Sequence, residues 1–508
     1  MTCFPPLRST AAAAVGFLLF AAPGLGPVSG GSPPVPTDRP RGAIVLTVGG
    51  PARIQPVAPG FVGLSFEYWA IPAYVGLHRG QIDPVFIQLI RNLTGGDPPV
   101  LRIGGNSTDG TWWPRRGLSP PAGVGYSLTR RWVAATRRMA VLLGARLILG
   151  INLEADSAAV AATEAKALLA GVGRRHIEAL ELGNEPELYA TFDWGATGIP
   201  GRPKGYGYTA FDRDFTRIAR ALPRVPLAGP SAGAVRWFGK VGRFLSHQPR
   251  VTVATVHRYP LQVCFVTPGN PLYPSIPHLL SAWSTRTLAE AVAGPVKAAH
   301  AHGVPLRVDE MNTVSCGDTQ VPDITRSFAS ALWGLDALFQ MADVGVDGVN
   351  IHSYPGATYE LFRFARVHGR WRAVVSPDYY GLLMFARAAP AGSRLLKVSR
   401  PARSPLKVWA TRAPDHKLRV VVINEGAGAA RVAVRGAGLK RTGALERLIA
   451  PSLLSEQGIT LAGQSFGSWT GSGVPAGRRR AFAVAPDRGK YVFSVPAASA
   501  AMLTVAPG

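Results

Sequence analysis

Cysteine is scarce in this sequence, with only Cys3, Cys264 and Cys316 in 508 residues. None lies in a Cys-x-x-Cys pair or a Cys/His array, so no metal site is expected. No Gly-rich phosphate loop and no nucleic-acid motif occur, and with them go nucleotide and nucleic-acid partners. Beyond the first thirty residues no stretch reaches ~18 uninterrupted apolar residues, which excludes a later membrane span. Acidic residues are few, 30 against 55 Lys and Arg, giving a net charge of +25. Such a surface attracts polyanions, from anionic lipid to acidic polysaccharide. Arg far outnumbers Lys, and Ala, Gly and Pro are abundant, a bias that arises without any partner, so charge alone does not choose a substrate. Charged residues make up only 17% and hydrophobic ones 47%, enough for a large core.

The first residues have the pattern of an export signal. Arg8 supplies a positive start, residues 11–22 form a short apolar run, and Pro23, Gly24, Gly26, Ser29 and Gly30 follow. The run is too short to span a membrane. We read 1–31 as a signal peptide and 32–42 as a Pro-rich linker, with a secreted, extracellular or periplasmic protein left without a stable membrane span after cleavage. Cys3 leaves with the signal. Cys264 and Cys316 remain, and export permits either a disulfide or two separate thiols.

Strand-length apolar runs then alternate with amphipathic stretches. Residues 61–66, 100–103, 146–151, 177–182, 226–229, 251–256, 306–308 and 346–351 are read as eight strands. Helical spacing is clearest over 158–171 and 327–341. This alternation predicts an α/β fold, a (β/α)₈ TIM barrel over 59–389. From about 390 to 508 short alternating runs at 406–410, 418–423, 430–434, 491–495 and 501–505, broken by turn residues, predict a C-terminal antiparallel β-sandwich. Residues 43–48 and 52–57 read as a hairpin around Gly49-Gly50-Pro51, a segment (43–58) expected to pair into that sandwich.

In such a barrel function lies at the C-terminal ends of the strands. Polar residues gather there: Glu67 and Tyr68 after strand one, Asn106 and Asp109 after strand two, Asn152 and Glu154 after strand three. Asn184, Glu185 and Glu187 follow strand four, His257 and Tyr259 strand six, Asp309 and Glu310 strand seven, and Asn350, His352 and Tyr354 strand eight. A rim of this kind suits a sugar. Two carboxylates stand out, Glu185 and Glu310. Glycoside hydrolysis needs a proton donor for the leaving oxygen and a second carboxylate at the anomeric carbon, ~5 Å apart in a retaining enzyme. Asn184 is positioned to orient the sugar 2-hydroxyl. Glu154 and Glu187 read as helix-terminus or salt-bridge partners, and Asp309 as a structural acid. The loop 201–208 is a candidate wall for the site or contact for an anionic leaving group.

Leu182-Gly183-Asn184-Glu185-Pro186-Glu187 resembles the acid/base signature of clan A glycoside hydrolases. With Leu101-Arg102-Ile103-Gly104-Gly105-Asn106-Ser107-Thr108-Asp109, Asp309-Glu310-Met311-Asn312 and the stretch from Asn350 to Tyr359, the sequence resembles glycoside hydrolase family 79, which holds β-glucuronidases and heparanases. The resemblance implies a retaining exo-β-glucuronidase with Glu185 as acid/base and Glu310 as nucleophile. It implies Asp109 and Asn184 on sugar hydroxyls, Tyr359 and the backbone at Gly317 on the uronate carboxylate, and His352, Tyr259 and Glu67 around the ring. No cofactor is implied, and the partner is a glucuronic-acid-containing glycan or glycoside. A Cys264–Cys316 disulfide would tie the loops after strands six and seven and fix Gly317. The alternatives are an endo-acting heparanase-like enzyme, a clan A hydrolase of a neutral sugar, and a glycan-binding protein without turnover.

Overall fold

Eight runs dominated by small and branched apolar residues form a closed parallel barrel in the computed structural model, which describes residues 42–53, 55–76, 81–316, 321–402, 404–436 and 440–507. The expected signal peptide, most of the linker and Gly317 lie outside the described residues. The strands are β1 (Val62–Glu67), β2 (Val100–Gly104), β3 (Arg146–Ile151), β4 (Ile177–Leu182), β5 (Leu227–Ala232), β6 (Val251–Arg258), β7 (Leu306–Met311) and β8 (Gly348–His352). Each pairs with its sequence neighbours, and β8 closes on β1. Nearly every strand residue is buried, as expected where helices cover the outside and side chains fill the inside.

The barrel floor is plugged by polar groups rather than by Val or Leu alone. Arg307 donates to Asn350 Oδ1 at 3.0 Å and to the Gly60 carbonyl at 3.1 Å. Asn350 Nδ2 donates to the carbonyls of Leu64 and Val100. Gly348 leaves the space for this guanidinium, since a Cβ there would fall 2.0 Å from Arg307 Nη1. Asn350, read from sequence as a rim residue, therefore belongs to the floor: it is the third residue of β8, one turn of the pleat short of the rim.

Strands β5, β6 and β7 run further than their apolar stretches. Thr255, His257, Asp309 and Glu310 remain within strands because all are buried at the barrel mouth. Helices start on side-chain caps: Thr129 Oγ1 accepts from Trp132 N before helix Arg130–Leu143, and Ser157 Oγ accepts from Val160 N before Ala158–Leu168.

The second region is a ten-stranded, largely antiparallel sheet. Residues Ile44–Pro51 form one strand in it, antiparallel to Arg394–Ser399 and parallel to Ala430–Gly436. This corrects the expected hairpin: Leu46 and Val48 face the sheet core, and the chain beyond Ala52 continues along Arg394–Ser399 through Ala52 N to Leu395 O and Val57 N to Ser393 O. Strands Arg394–Ser399 and Gly443–Ile449 escaped the sequence reading, as did a hairpin, Phe362–Val367 with Arg370–Val375, inserted after β8. The sheet docks on the barrel helices Phe328–Val344 and Pro377–Ala388. Trp409 stacks on Phe339 with centroids 5.4 Å apart and donates to Asp336, which also pairs with Lys407 at 3.1 Å. Among the described residues no helix is long and apolar enough to cross a membrane.

Candidate active site

The loop after β2 is fixed by two carboxylates. Glu67 accepts from Asn106 N at 3.1 Å and Ser107 N at 2.8 Å. Gly105 permits this, for its φ is +69° and a Cβ would lie 2.3 Å from Glu67 Oε1. Asp109 closes the loop against the ends of β3 and β4. Its Oδ1 accepts from Leu153 N and Glu154 N, and its Oδ2 from Asn184 N and the Tyr189 hydroxyl. Burial raises the Asp109 carboxyl, and those four donors oppose the rise. Expected to hold a sugar hydroxyl, Asp109 has both oxygens committed to protein donors, so it positions the Asn184–Glu185 turn.

Arg102 of β2 is the hub of the mouth. Its fully buried guanidinium donates through Nε to Glu181 at 2.7 Å, through Nη1 to Glu310 Oε2 at 2.5 Å, and through Nη2 to Asn184 Oδ1 at 2.8 Å. Ser65 and Ser231 hydroxyls lie at 3.3 Å, and Asp309 Oδ2 lies 3.3 Å from Nε. Burial and the Glu181 charge push the Asp309 carboxyl well up, whereas Arg102 and a hydrogen bond from Asp309 outweigh burial at Glu181 and pull it down. A proton on Asp309 shared with Glu181 gives partners to oxygens of both groups that otherwise face none. In the sequence Arg102 stands only as part of the Leu101-to-Asp109 motif. The signal it offers is a lone Arg in an apolar strand, which a barrel interior tolerates only when acceptors meet it.

Glu310 lies at the end of β7. Its Oε1 accepts from the Tyr259 hydroxyl at 3.0 Å and its Oε2 from Arg102. Burial would raise its carboxyl, but His352, His257 and Arg102 outweigh burial and hold it well below the usual carboxylate range. His352 is held by Ser65 Oγ at 3.0 Å and lies 3.3 Å from Glu67 and 4.0 Å from Glu310. Burial opposes its charge, yet Glu310 and Glu67 prevail and raise it.

Glu185 follows β4 on a turn whose geometry is unusual for a side-chain-bearing residue, with φ 46° and ψ 55°. Its N–H donates to the Ser231 carbonyl, and its Oε1 lies 3.1 Å from His257 Nδ1. His257 Nε2 in turn lies 3.0 Å from Ser231 Oγ. Glu187, two residues on, accepts from the N–H groups of Gly233 and Ala234; burial and the Glu185 charge push it up to about 7. Oxygens of Glu185 and Glu310 and a ring nitrogen of His257 all lie within 4.8 Å of one another. The fixed Arg102 cation on Glu310 disfavours a metal ion in this space.

The structure brings together Glu67, Asn184, Tyr259, His352 and Tyr359 around this pair. Tyr359 is buried and packs its ring against Tyr259 and His352, with centroids 6.2 and 6.3 Å away. Cys264 and Cys316 are joined in a disulfide, Cα–Cα 5.7 Å, and Leu261–Gln262 pairs with Val314–Ser315 beside it. A cavity of about 560 Å³ opens from Glu185. The 201–208 loop does not line it: Arg202 turns inward to the carbonyls of Leu153 and Glu154 and packs over the Tyr189 and Tyr206 rings.

No family model matches the chain. It is 24% identical over 411 residues to a β-glucuronidase of Aspergillus niger, covering 73% of this chain and 72% of that protein. It is 23% identical over 389 residues to a β-glucuronidase of Neurospora crassa, covering 69% and 67%. Among solved structures, a 4-O-α-L-rhamnosyl-β-D-glucuronidase from Fusarium oxysporum superposes with a TM-score of 0.68 at 19% identity, over 91% of this chain and 100% of that one. An arabinofuranosidase from Xanthomonas axonopodis pv. citri superposes at 0.62 with 16% identity, over 91% and 100%. The fold is that of the TIM-barrel glycoside hydrolases. Taken with the paired rim carboxylates and these relatives, it makes the chain an enzyme of the glycoside hydrolase class.

Proposed function

We propose that this enzyme is a retaining, exo-acting β-glucuronidase of the glycoside hydrolase family 79 type, and that it acts outside the cytoplasm. The observation that carries the mechanism is the approach of the Glu185 and Glu310 carboxylates to within 4.8 Å, a separation that suits direct attack on the anomeric carbon and leaves no room for a water between them. Glu310, kept ionised by its positive neighbours, attacks that carbon while Glu185 protonates the leaving oxygen. The resulting glycosyl ester is then hydrolysed by a water that Glu185 deprotonates. Asn184, with Oδ1 fixed by Arg102 and Nδ2 donating to Asn106 Oδ1, offers its second amide hydrogen to the sugar 2-hydroxyl in this reading.

The glucuronide specificity is supported by the two fungal relatives, both β-glucuronidases. It is also supported by Tyr359, Tyr259 and His352, which gather a phenol pair and a positively biased imidazole beside Glu310. The N-terminal apolar run and the disulfide suit an oxidising compartment. The test compares nitrophenyl β-glucuronide with the β-glucoside, β-xyloside and α-arabinofuranoside. The expected result is a strong preference for the glucuronide, with β-glucuronic acid as the first anomer in the NMR spectrum. A preference for a neutral sugar would overturn the specificity, and an α first product would overturn the mechanism.

A further inference from the structure

The cavity beside Glu185 contains two cations that the reaction above does not use, Arg236, which is exposed and donates to the Glu187 carbonyl, and Arg258. Its walls include Glu185, Glu187, Arg236 and Arg258, but not Glu310, His352 or Tyr359. Because the proton donor stands next to the leaving oxygen, a cavity on its side, away from the nucleophile, is where a leaving group lodges.

Arg258 is the last residue of β6, directly after His257, which contacts Glu185. Its Nε is sealed from solvent and has no hydrogen-bond partner, and among the described residues no carboxylate forms an ion pair with it. Burial alone pulls its guanidinium down to about 10, with no anion to offset the cost, and it is still charged at neutral pH. Arg258 is half-buried as a residue with its Nε sealed, and a cation so placed without a counter-ion is costly unless an anion completes it. Arg102 shows what the protein does elsewhere, where a buried guanidinium is engaged through all three nitrogens by carboxylates and an amide oxygen. Nor does Glu187 supply a reliable counter-charge, since it is spent on the N–H groups of Gly233 and Ala234 and is pushed up to about 7.

The cavity also holds an aromatic patch among polar residues such as Thr191, Gln262 and Ser315. Phe192, Phe265 and Trp283 line it with 41%, 57% and 49% of their surfaces exposed, and the two Phe rings sit 5.6 Å apart. Exposed aromatics grouped at a pocket offer a surface for a flat ring.

We propose that the leaving-group site selects an aromatic aglycone bearing an acid group, with the ring against Phe192, Phe265 and Trp283 and the acid on Arg258. This rests on the reading of the enzyme as a β-glucuronidase. The bidentate fork of Arg favours a carboxylate over a neutral substituent, so Arg258 is a specificity residue and not part of the bond-breaking machinery.

The experiment measures kcat/KM of the full chain on 4-carboxyphenyl β-glucuronide and on its methyl ester, in the wild type, Arg258→Met and Arg258→Lys. Comparing each substrate across variants cancels the intrinsic reactivity of the phenol. Arg258→Met is expected to lower kcat/KM on the carboxylate at least tenfold, mainly through KM, and to leave the ester within about twofold; Arg258→Lys is expected to restore part of the loss. Equal effects on both substrates would overturn the proposal while leaving the β-glucuronidase reading intact. Cleavage of neither glucuronide by the wild type would overturn both.

Discussion

Replacing Arg102 by Met removes the one guanidinium that joins Glu181, Asp309, Glu310 and Asn184. Glu181 is then left buried without its cation, and Glu310 keeps only its histidine neighbours. Breaking a buried pair by removing one partner typically costs about 3–5 kcal/mol. The unit Gly42–Gly508 has an unfolding entropy of about 1 kcal/mol per degree on per-residue averages, so the melting temperature should fall by roughly 3–5 °C. The sign with pH follows from Glu310. Its carboxyl is held low in the fold, so its charge contributes stability that is present above the unfolded pKa and lost as pH falls through the folded one. The penalty of Arg102→Met is therefore larger at pH 7 than at pH 4, where the carboxylates take up protons. Activity responds on the same axis: without Arg102 the acid limb of kcat/KM moves to higher pH. Arg102→Lys keeps the charge but loses the fork, and the lost hydrogen bonds to charged groups, about 1.5–3 kcal/mol, correspond to roughly a 10–150-fold drop in kcat/KM. Thermal unfolding at the two pH values and a pH–rate profile test this. A melting temperature within 1 °C of wild type at pH 7, with an unmoved acid limb, would refute the role of Arg102 as the hub.

Glu185→Ala should reduce turnover of glucuronides with poor leaving groups by orders of magnitude more than that of activated nitrophenyl glucuronides, which need little protonation; equal losses on both would remove Glu185 from the proton-donor role. Asp378 is fully buried, lacks side-chain partners, and is pushed by burial up to about 8 from an ordinary 3.8. Its raised pKa means that stability is lost as pH rises between about 4 and 8, by up to ~1.4 kcal/mol per unit. Asp378→Asn should raise the melting temperature at pH 8 by a few degrees and change it little at pH 4. The opposite pattern would show that the carboxylate is charged and stabilising.

The barrel was legible because its strands are largely apolar runs, and the helices between them carry a clear 3.6-residue period. Strand ends were less legible. His257, Asp309 and Glu310 read as loop residues by polarity, yet they continue the ladder because a filled barrel mouth buries and pairs them. In the sheet, Arg394–Ser399 hid behind Arg394 and Lys397 on its solvent face, and Gly443–Ile449 behind the charged pair Glu446-Arg447, whose glutamate is buried. The expected hairpin near residue 50 failed because Gly49-Gly50-Pro51 marks the fraying edge of a strand whose partners lie some 350 residues away in sequence. For the site, the Asn-Glu-Pro turn and the Glu after β7 could be placed on the rim from spacing alone. What spacing could not supply was the partner of each group: that Asp109 is fully occupied by backbone N–H groups and Tyr189, that Arg102 binds Glu310, and that His257 touches Glu185. Those contacts join different strands across the barrel mouth, and no local pattern encodes them.

The most direct test of the mechanism is trapping with a 2-deoxy-2-fluoro-β-glucuronyl fluoride, followed by digestion and mass spectrometry of the labelled peptide. Slow turnover of the ester should leave one fluoroglucuronyl group on the enzyme, attached to Glu310. Labelling of Glu185 or of another residue, or turnover without a covalent intermediate, would contradict the assignment of Glu310 as the nucleophile of a retaining glucuronidase.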